Sequence, residues 1–269
     1  MARTYDPAHS RRAGVARSFS VGATTFDFHE RQVLVTGGTR GLGRAVALAF
    51  ARAGAEVTIT GTESLASAYD RGLRHLRYAR LDLTDPDSID RIAGEQSSLD
   101  ILVHAAGARV PRTSDAQERE FVDHSVRLGL VGPEQLTHRL RRQLAQSPMR
   151  GGAAVINTHQ FGRWLALAHG PQQAHTELVA ATTRMARRFG SDGIRVNCVA
   201  SAVPIPRPAS AQAAAGDGAT VLTRVHTQRT GTTQDLATSV LFLGSQASAF
   251  VTGQTLVVNA TPTGGARRA

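Results

Sequence analysis

The chain has 269 residues, enough for one large α/β domain with an ample core. Its single cysteine, Cys198 in the apolar run "IRVNCVA", rules out an intramolecular disulfide framework and reads as a buried structural thiol. The net charge of +10 comes from scattered arginines without interleaved aromatics, which argues against specific nucleic-acid binding, and all 31 basic residues are arginine, which excludes any mechanism needing a lysine.

In chain order, residues 1–25 mix Arg, Ser, Ala and Gly without periodicity and read as a mobile tail. The paired arginines of "SRRAGVARSF" are followed by no apolar segment, and no apolar stretch reaches the roughly 18 residues of a membrane helix, so a cytoplasmic protein without membrane contact is expected. From residue 26 onward short apolar runs alternate with helical patterns. Strands are predicted at 32–36, 56–60, 76–81, 99–105, 153–158, 194–200 and 255–258. The clearest helices are predicted at 42–52, 118–144, 171–189 and 234–243. Runs this short, rich in Val and Ile, are strands covered on both faces. The alternation predicts an α/β fold, a Rossmann-type doubly wound parallel sheet in a single domain over 26–269. Residues 203–230 are the only long irregular segment and read as a substrate lid.

"VLVTGGTRGLGRAVALAF" is a strand, a glycine turn and a helix in immediate succession. Gly37, Gly41 and Gly43 let the backbone turn tightly and approach a pyrophosphate seated on the helix N-terminus. On this turn at residues 36–43, with "LDLTD", "LVHAAG", "GIRVN" and "FLGSQASAFVTGQTLVV", the chain resembles the short-chain dehydrogenase/reductase family over residues 26–261. The resemblance implies a cofactor site made of Thr36, Gly37, Arg40, Gly41, Leu42, Gly43, Thr62, Asp82, Leu83, Ala106 and Gly107. Arg40 stands where NADP-preferring members place a base, and Thr62 stands where NAD-preferring members tend to hold the ribose with Asp. A guanidinium there would pair with a 2′-phosphate, so NADP(H) is the expected cofactor.

The family's chemistry rests on an Asn-Ser-Tyr-Lys set, and here all four slots differ. Counting back from "GIRVN" places the tyrosine slot at Pro171 and the lysine slot at His175. The serine slot is His159 and the asparagine slot Gly129. Slippage cannot restore the pair, because lysine is absent and the only tyrosines are Tyr5, Tyr69 and Tyr78. The elements implied for adenosine and pyrophosphate are kept, whereas those for the nicotinamide ribose and for proton transfer are replaced.

Histidine makes up 10 of 269 residues, so its presence in two of four slots is not what composition alone delivers. Its unperturbed pKa suits proton transfer at neutral pH. His159, after the strand at 153–158, and His175, on the facing helix, are therefore the candidate acid/base pair. Gln160, Arg163, Trp164, Gln172 and Gln173 are candidates for holding a small organic substrate. His104 lies near the expected cofactor path. No metal site is expected from His159, His169 and His175, which lack a carboxylate at ligand spacing. Two catalytic readings stand: a reductase without a tyrosine proton donor, and a redox-neutral cyclase, isomerase or dehydratase. The reading from another class is an inactive subunit of an active homologue. The resemblance implies a homo-oligomer, a dimer or tetramer, joined through the helices at 118–144 and 171–189; the inactive-subunit reading would make it a hetero-oligomer instead.

Overall fold

The computed structural model describes residues 19–21, 24–65, 71–107, 124, 126–158, 171–200 and 232–258. Within the stretch read as a tail, β1 (Phe19–Val21) and β2 (Thr24–Phe26) pair as an antiparallel hairpin. Phe26 anchors this hairpin in the core, and the ring of Phe28 meets Phe50 edge-on with centroids 4.8 Å apart.

The main body is a seven-stranded sheet whose neighbouring strands all run parallel. The strands are β3 (Gln32–Thr36), β4 (Glu56–Gly61), β5 (Arg77–Arg80), β6 (Ile101–His104), β7 (Ala154–Thr158), β8 (Arg195–Ala200) and β9 (Thr255–Val257). Their spatial order is β5-β4-β3-β6-β7-β8-β9. Chain order reverses between β3 and β6, the place where a doubly wound sheet opens a crevice at its carboxyl edge.

Helices cover both faces, which is why the strands read as unbroken apolar runs. Val33 and Val35 of β3 face one core with α1 (Gly41–Arg52) and α6 (Thr233–Gly244). Leu34 faces the other, with α2 (Pro86–Glu95), α3 (Gly132–Arg139) and α5 (Pro171–Phe189). The helix predicted over 118–144 is not continuous in its described part. Residues Arg127–Val131 wind as a π-turn, α3 follows, and the chain breaks at Leu140 before α4 (Arg141–Ala145). Side-chain periodicity carries no signal for a π-turn, so the sequence pattern reads straight through it. Residues 1–18 of the tail and the whole lid at 203–230 lie outside the described residues.

Candidate functional site

Helices α2 and α6 carry side-chain caps at their N-termini. The Asp85 carboxylate accepts from the Asp87 amide, and Thr232 and Asp235 form a reciprocal capping box. Helix α1 differs. Arg40, its extended N-cap residue, supplies no side-chain cap, and the first turn holds no acid. The amides of this N-terminus, which no side chain of Arg40 caps, are suited to an anion.

The glycines shape the approach. Gly37 has φ +65°, and a Cβ there would sit 2.6 Å from the Ala106 Cα, so the turn lies directly on the segment after β6. The same junction is tied by Thr36, whose Oγ1 accepts from the amides of Ala105 at 3.2 Å and Ala106 at 3.4 Å. A Cβ at Gly43 would meet the Gly37 carbonyl oxygen at 2.3 Å, locking turn to helix. Gly41 has φ +56°, yet a Cβ there would meet nothing within 4 Å. A left-handed glycine facing open space in front of an uncapped helix fits a pyrophosphate.

The other predicted cofactor residues line the same edge. Thr62 follows β4 and is exposed; its carbonyl accepts from Arg80 Nε at 3.1 Å. Asp82, after β5, spends Oδ1 on the amide and hydroxyl of Thr84, at 2.9 and 2.7 Å. That small turn sets the backbone of buried Leu83, whose carbonyl presses on α3: a Cβ at Gly132 would lie 2.2 Å from it. Ala106 and Gly107 follow β6. Thr36, Gly37, Arg40, Gly41, Leu42, Gly43, Thr62, Asp82, Leu83, Ala106 and Gly107 thus gather at the carboxyl ends of four adjacent strands.

The residues expected to transfer protons and hold substrate are described only in part. β7 ends at Thr158, and His159, Gln160, Arg163 and Trp164 lie outside the described residues. Gln172, Gln173 and His175 stand in the opening turns of α5, which starts at Pro171, a residue suited to a first helical position. Only their backbone is described. Gly129, the residue expected at the asparagine slot, falls inside the π-turn.

His104 is a structural tie between β6 and α3. Its Nε2 lies 2.9 Å from Thr137 Oγ1, and that hydroxyl donates onward to the Pro133 carbonyl at 2.8 Å, so Nε2 is the protonated nitrogen. Burial lowers the pKa to about 3, which keeps the ring neutral at physiological pH. Cys198 is likewise inert: burial pushes its thiol far above the usual range, against a smaller opposing effect of Thr182 and Thr255. Among the described residues no group of three or more His, Cys, Asp or Glu is placed to hold a metal, and no helix is long and apolar enough to cross a membrane.

The family model described as enoyl-(acyl carrier protein) reductase matches residues 37–260. The chain belongs to the short-chain dehydrogenase/reductase family. It is 32% identical over 249 residues to the cis-4-hydroxycyclohexanecarboxylate dehydrogenase of Sinomonas cyclohexanicum, covering 86% of this chain and 96% of the relative. It is 31% identical to the 3-oxoacyl-(acyl-carrier-protein) reductase FabG of Escherichia coli (strain K12), covering 87% and 97%. A solved short-chain type dehydrogenase/reductase from Mycobacterium ulcerans superposes with a TM-score of 0.72 at 25% identity, over 87% of this chain and 90% of that one. The parallel sheet, the helices on both its faces and the glycine turn are those of this family of oxidoreductases. The chain contains no lysine, and its three tyrosines are Tyr5, Tyr69 and Tyr78.

Two further residues at this edge carry no motif signal. Arg80, which precedes "LDLTD", is the last residue of β5. Thr60, whose Oγ1 accepts from the Gly37 amide at 3.4 Å, ties the glycine turn to β4.

Proposed function

We propose that the chain binds NADP(H) along the carboxyl edge of β3 to β6 and acts on a small organic molecule, with His159 and His175 as the acid/base pair. The observation that carries the reading is the uncapped N-terminus of α1 behind Gly41, where a Cβ would point into open space. The amides of α1 would hold the pyrophosphate, Thr62 and Arg40 the 2′-phosphorylated ribose, and Leu83, Ala106 and Gly107 the adenosine side. A reduced nicotinamide held on this edge would supply hydride. The chain's own residues must supply the rest. With tyrosine and lysine both absent from their slots, the imidazoles of His159 and His175 are the groups left to give or take a proton near neutral pH.

This division favours a reductase whose substrate, an iminium or conjugated carbonyl, needs little help from a phenolic proton donor. A redox-neutral cyclase, isomerase or dehydratase in the same pocket is the second catalytic reading. The substrate is held by Gln160, Arg163, Trp164, Gln172 and Gln173. The assembly is a homo-oligomer through α3, α4 and α5, in the cytoplasm. The alternative, a non-catalytic subunit paired with an active homologue, rests on the replacement of all four family slots.

Incubation of pure protein with candidate substrates, with and without NADPH, separates the readings when product and cofactor absorbance are followed together. The reductase consumes one NADPH per product. Product formed without cofactor oxidation rejects the reductase in favour of redox-neutral chemistry. Turnover only in the presence of a co-purifying homologue, unchanged by replacing both histidines, favours the subunit reading.

A further inference from the structure

We infer that Arg80, reaching over from the neighbouring strand β5, is a second base for the 2′-phosphate and sets the preference for NADP(H) over NAD(H). The inference rests on the NADP(H) reading above. It adds a residue that the glycine-turn motif does not include.

The register pairs Arg80 with Gly61, the last residue of β4. From there the Arg80 side chain crosses the end of β4, and Nε donates to the Thr62 carbonyl at 3.1 Å. That bond uses the one N–H on the inner side of the guanidinium. Neither terminal amino group of the exposed Arg80 has a partner among the described residues. Tyr78, two residues earlier and so on the same face of the strand, donates its hydroxyl to the Glu63 carbonyl at 2.5 Å. Two side chains of β5 therefore hold two consecutive carbonyls of the loop where a ribose would be recognised. Tyr78 packs against the core on the α1 side, so Arg80 shares the sheet face on which α1 begins at Arg40.

The chemistry suits a phosphate monoester. A guanidinium anchored through Nε presents its two remaining nitrogens as a fixed fork, the geometry that grips phosphate oxygens in pairs. A bare ribose 2′-hydroxyl has no charge for it. Two acids lie close by in the chain. Asp82 already spends Oδ1 on Thr84, while Glu63, one residue past Thr62, is the group that would favour ribose hydroxyls instead. Arg91 backs the strand by donating to the Arg80 carbonyl at 2.5 Å, and its own charge is paired with Glu95 at 3.0 Å.

The test is calorimetric titration of the full-length protein with NADPH, NADH, adenosine 2′,5′-bisphosphate and 5′-AMP. Arg80→Gln is expected to weaken NADPH and the bisphosphate about 10- to 100-fold, the loss of a charge-assisted pair of bonds. NADH and 5′-AMP should stay within about threefold of the parent, with an unchanged melting temperature. Should Arg80→Gln fail to fold, Arg80→Lys carries the test, because it keeps the charge but loses the fork; a NADPH/NADH ratio reduced but not abolished is then expected. A parent protein that prefers NADPH while the Arg80 variants keep its ratio would overturn the role of Arg80 and leave the cofactor reading standing. A parent that binds NADH as well as NADPH, with Glu63→Gln abolishing NADH binding, would overturn both.

Discussion

Gly41 and Gly43 sit two residues apart in one turn, and a methyl added at each would meet different surroundings. At Gly41 a methyl meets nothing within 4 Å, so the only folding cost is the left-handed φ of +56°. For a residue with a Cβ that costs about 1–2 kcal/mol, a fall of a few degrees in melting temperature for a domain of this size. The same methyl fills the space in front of the α1 amides. Losing two charge-assisted bonds there removes about 3 kcal/mol or more of binding, a factor of roughly 100. At Gly43 the methyl lies 2.3 Å from the Gly37 carbonyl, a backbone atom that cannot step aside. Overpacking of this kind costs about 1–3 kcal/mol or more and deforms the turn itself. Thermal melts with and without NADPH read both effects, because a ligand at 100 times its Kd adds about 2.7 kcal/mol to the native state. Gly41→Ala should melt near the parent and show no NADPH-induced rise; Gly43→Ala should melt well below it. A folded Gly41→Ala that binds NADPH within about threefold of the parent would refute the cradle.

Three further outcomes follow from the geometry. His104 falls from 6.5 to about 3 on folding because it is buried, so the unfolded chain binds the extra proton between those values. Its contribution to stability is present above pH 6.5 and is lost as pH falls, by at most about 1.4 kcal/mol per unit; urea unfolding of His104→Gln should show a shallower acid loss, and an identical slope would remove His104 from the account. Arg195 is buried and donates to the carbonyls of Gly151, Leu243 and Ser248, at 3.0, 2.9 and 3.0 Å, tying the end of α6 to β8. Arg195→Met strands those acceptors and should cost about 3 kcal/mol or more in denaturant unfolding, whereas a neutral effect would contradict the tie. His159→Ala and His175→Ala should each lower turnover about 100-fold or more while leaving NADPH affinity within about threefold; full activity in both would dismiss the histidine pair.

The sheet was legible in the sequence because strands covered on both faces leave runs such as "QVLVT" and "AVINT" that no amphipathic helix imitates, and their observed ends fall within two residues of those expected. Helices α1 and α5 were equally plain, the second starting at the predicted Pro171. What escaped was set by contacts distant in sequence. The hairpin of β1 and β2 is too short for periodicity and is held by Phe26 in a core built elsewhere. The π-turn before α3 accompanies the tight contact of Gly132 with the Leu83 carbonyl, some fifty residues earlier. At the candidate site, the glycine turn was legible because a tight strand-to-helix turn needs glycines at fixed spacing. Arg80 stayed silent, since one arginine among 31 acquires meaning only when the register places it beside Gly61. His104 shows the opposite: its sequence position pointed toward a cofactor, and the fold spends its Nε2 on Thr137.

The proposed function puts a 2′-phosphorylated dinucleotide on the carboxyl edge of β3 to β6. Equilibrium titration of the purified chain with NADPH and with NADH, followed by nicotinamide fluorescence, tests it most directly. Saturable binding of both is expected, tighter for NADPH by about tenfold or more and weakened by salt, as a charge-assisted subsite requires. Absence of binding by either dinucleotide, or a preference for NADH, would contradict it.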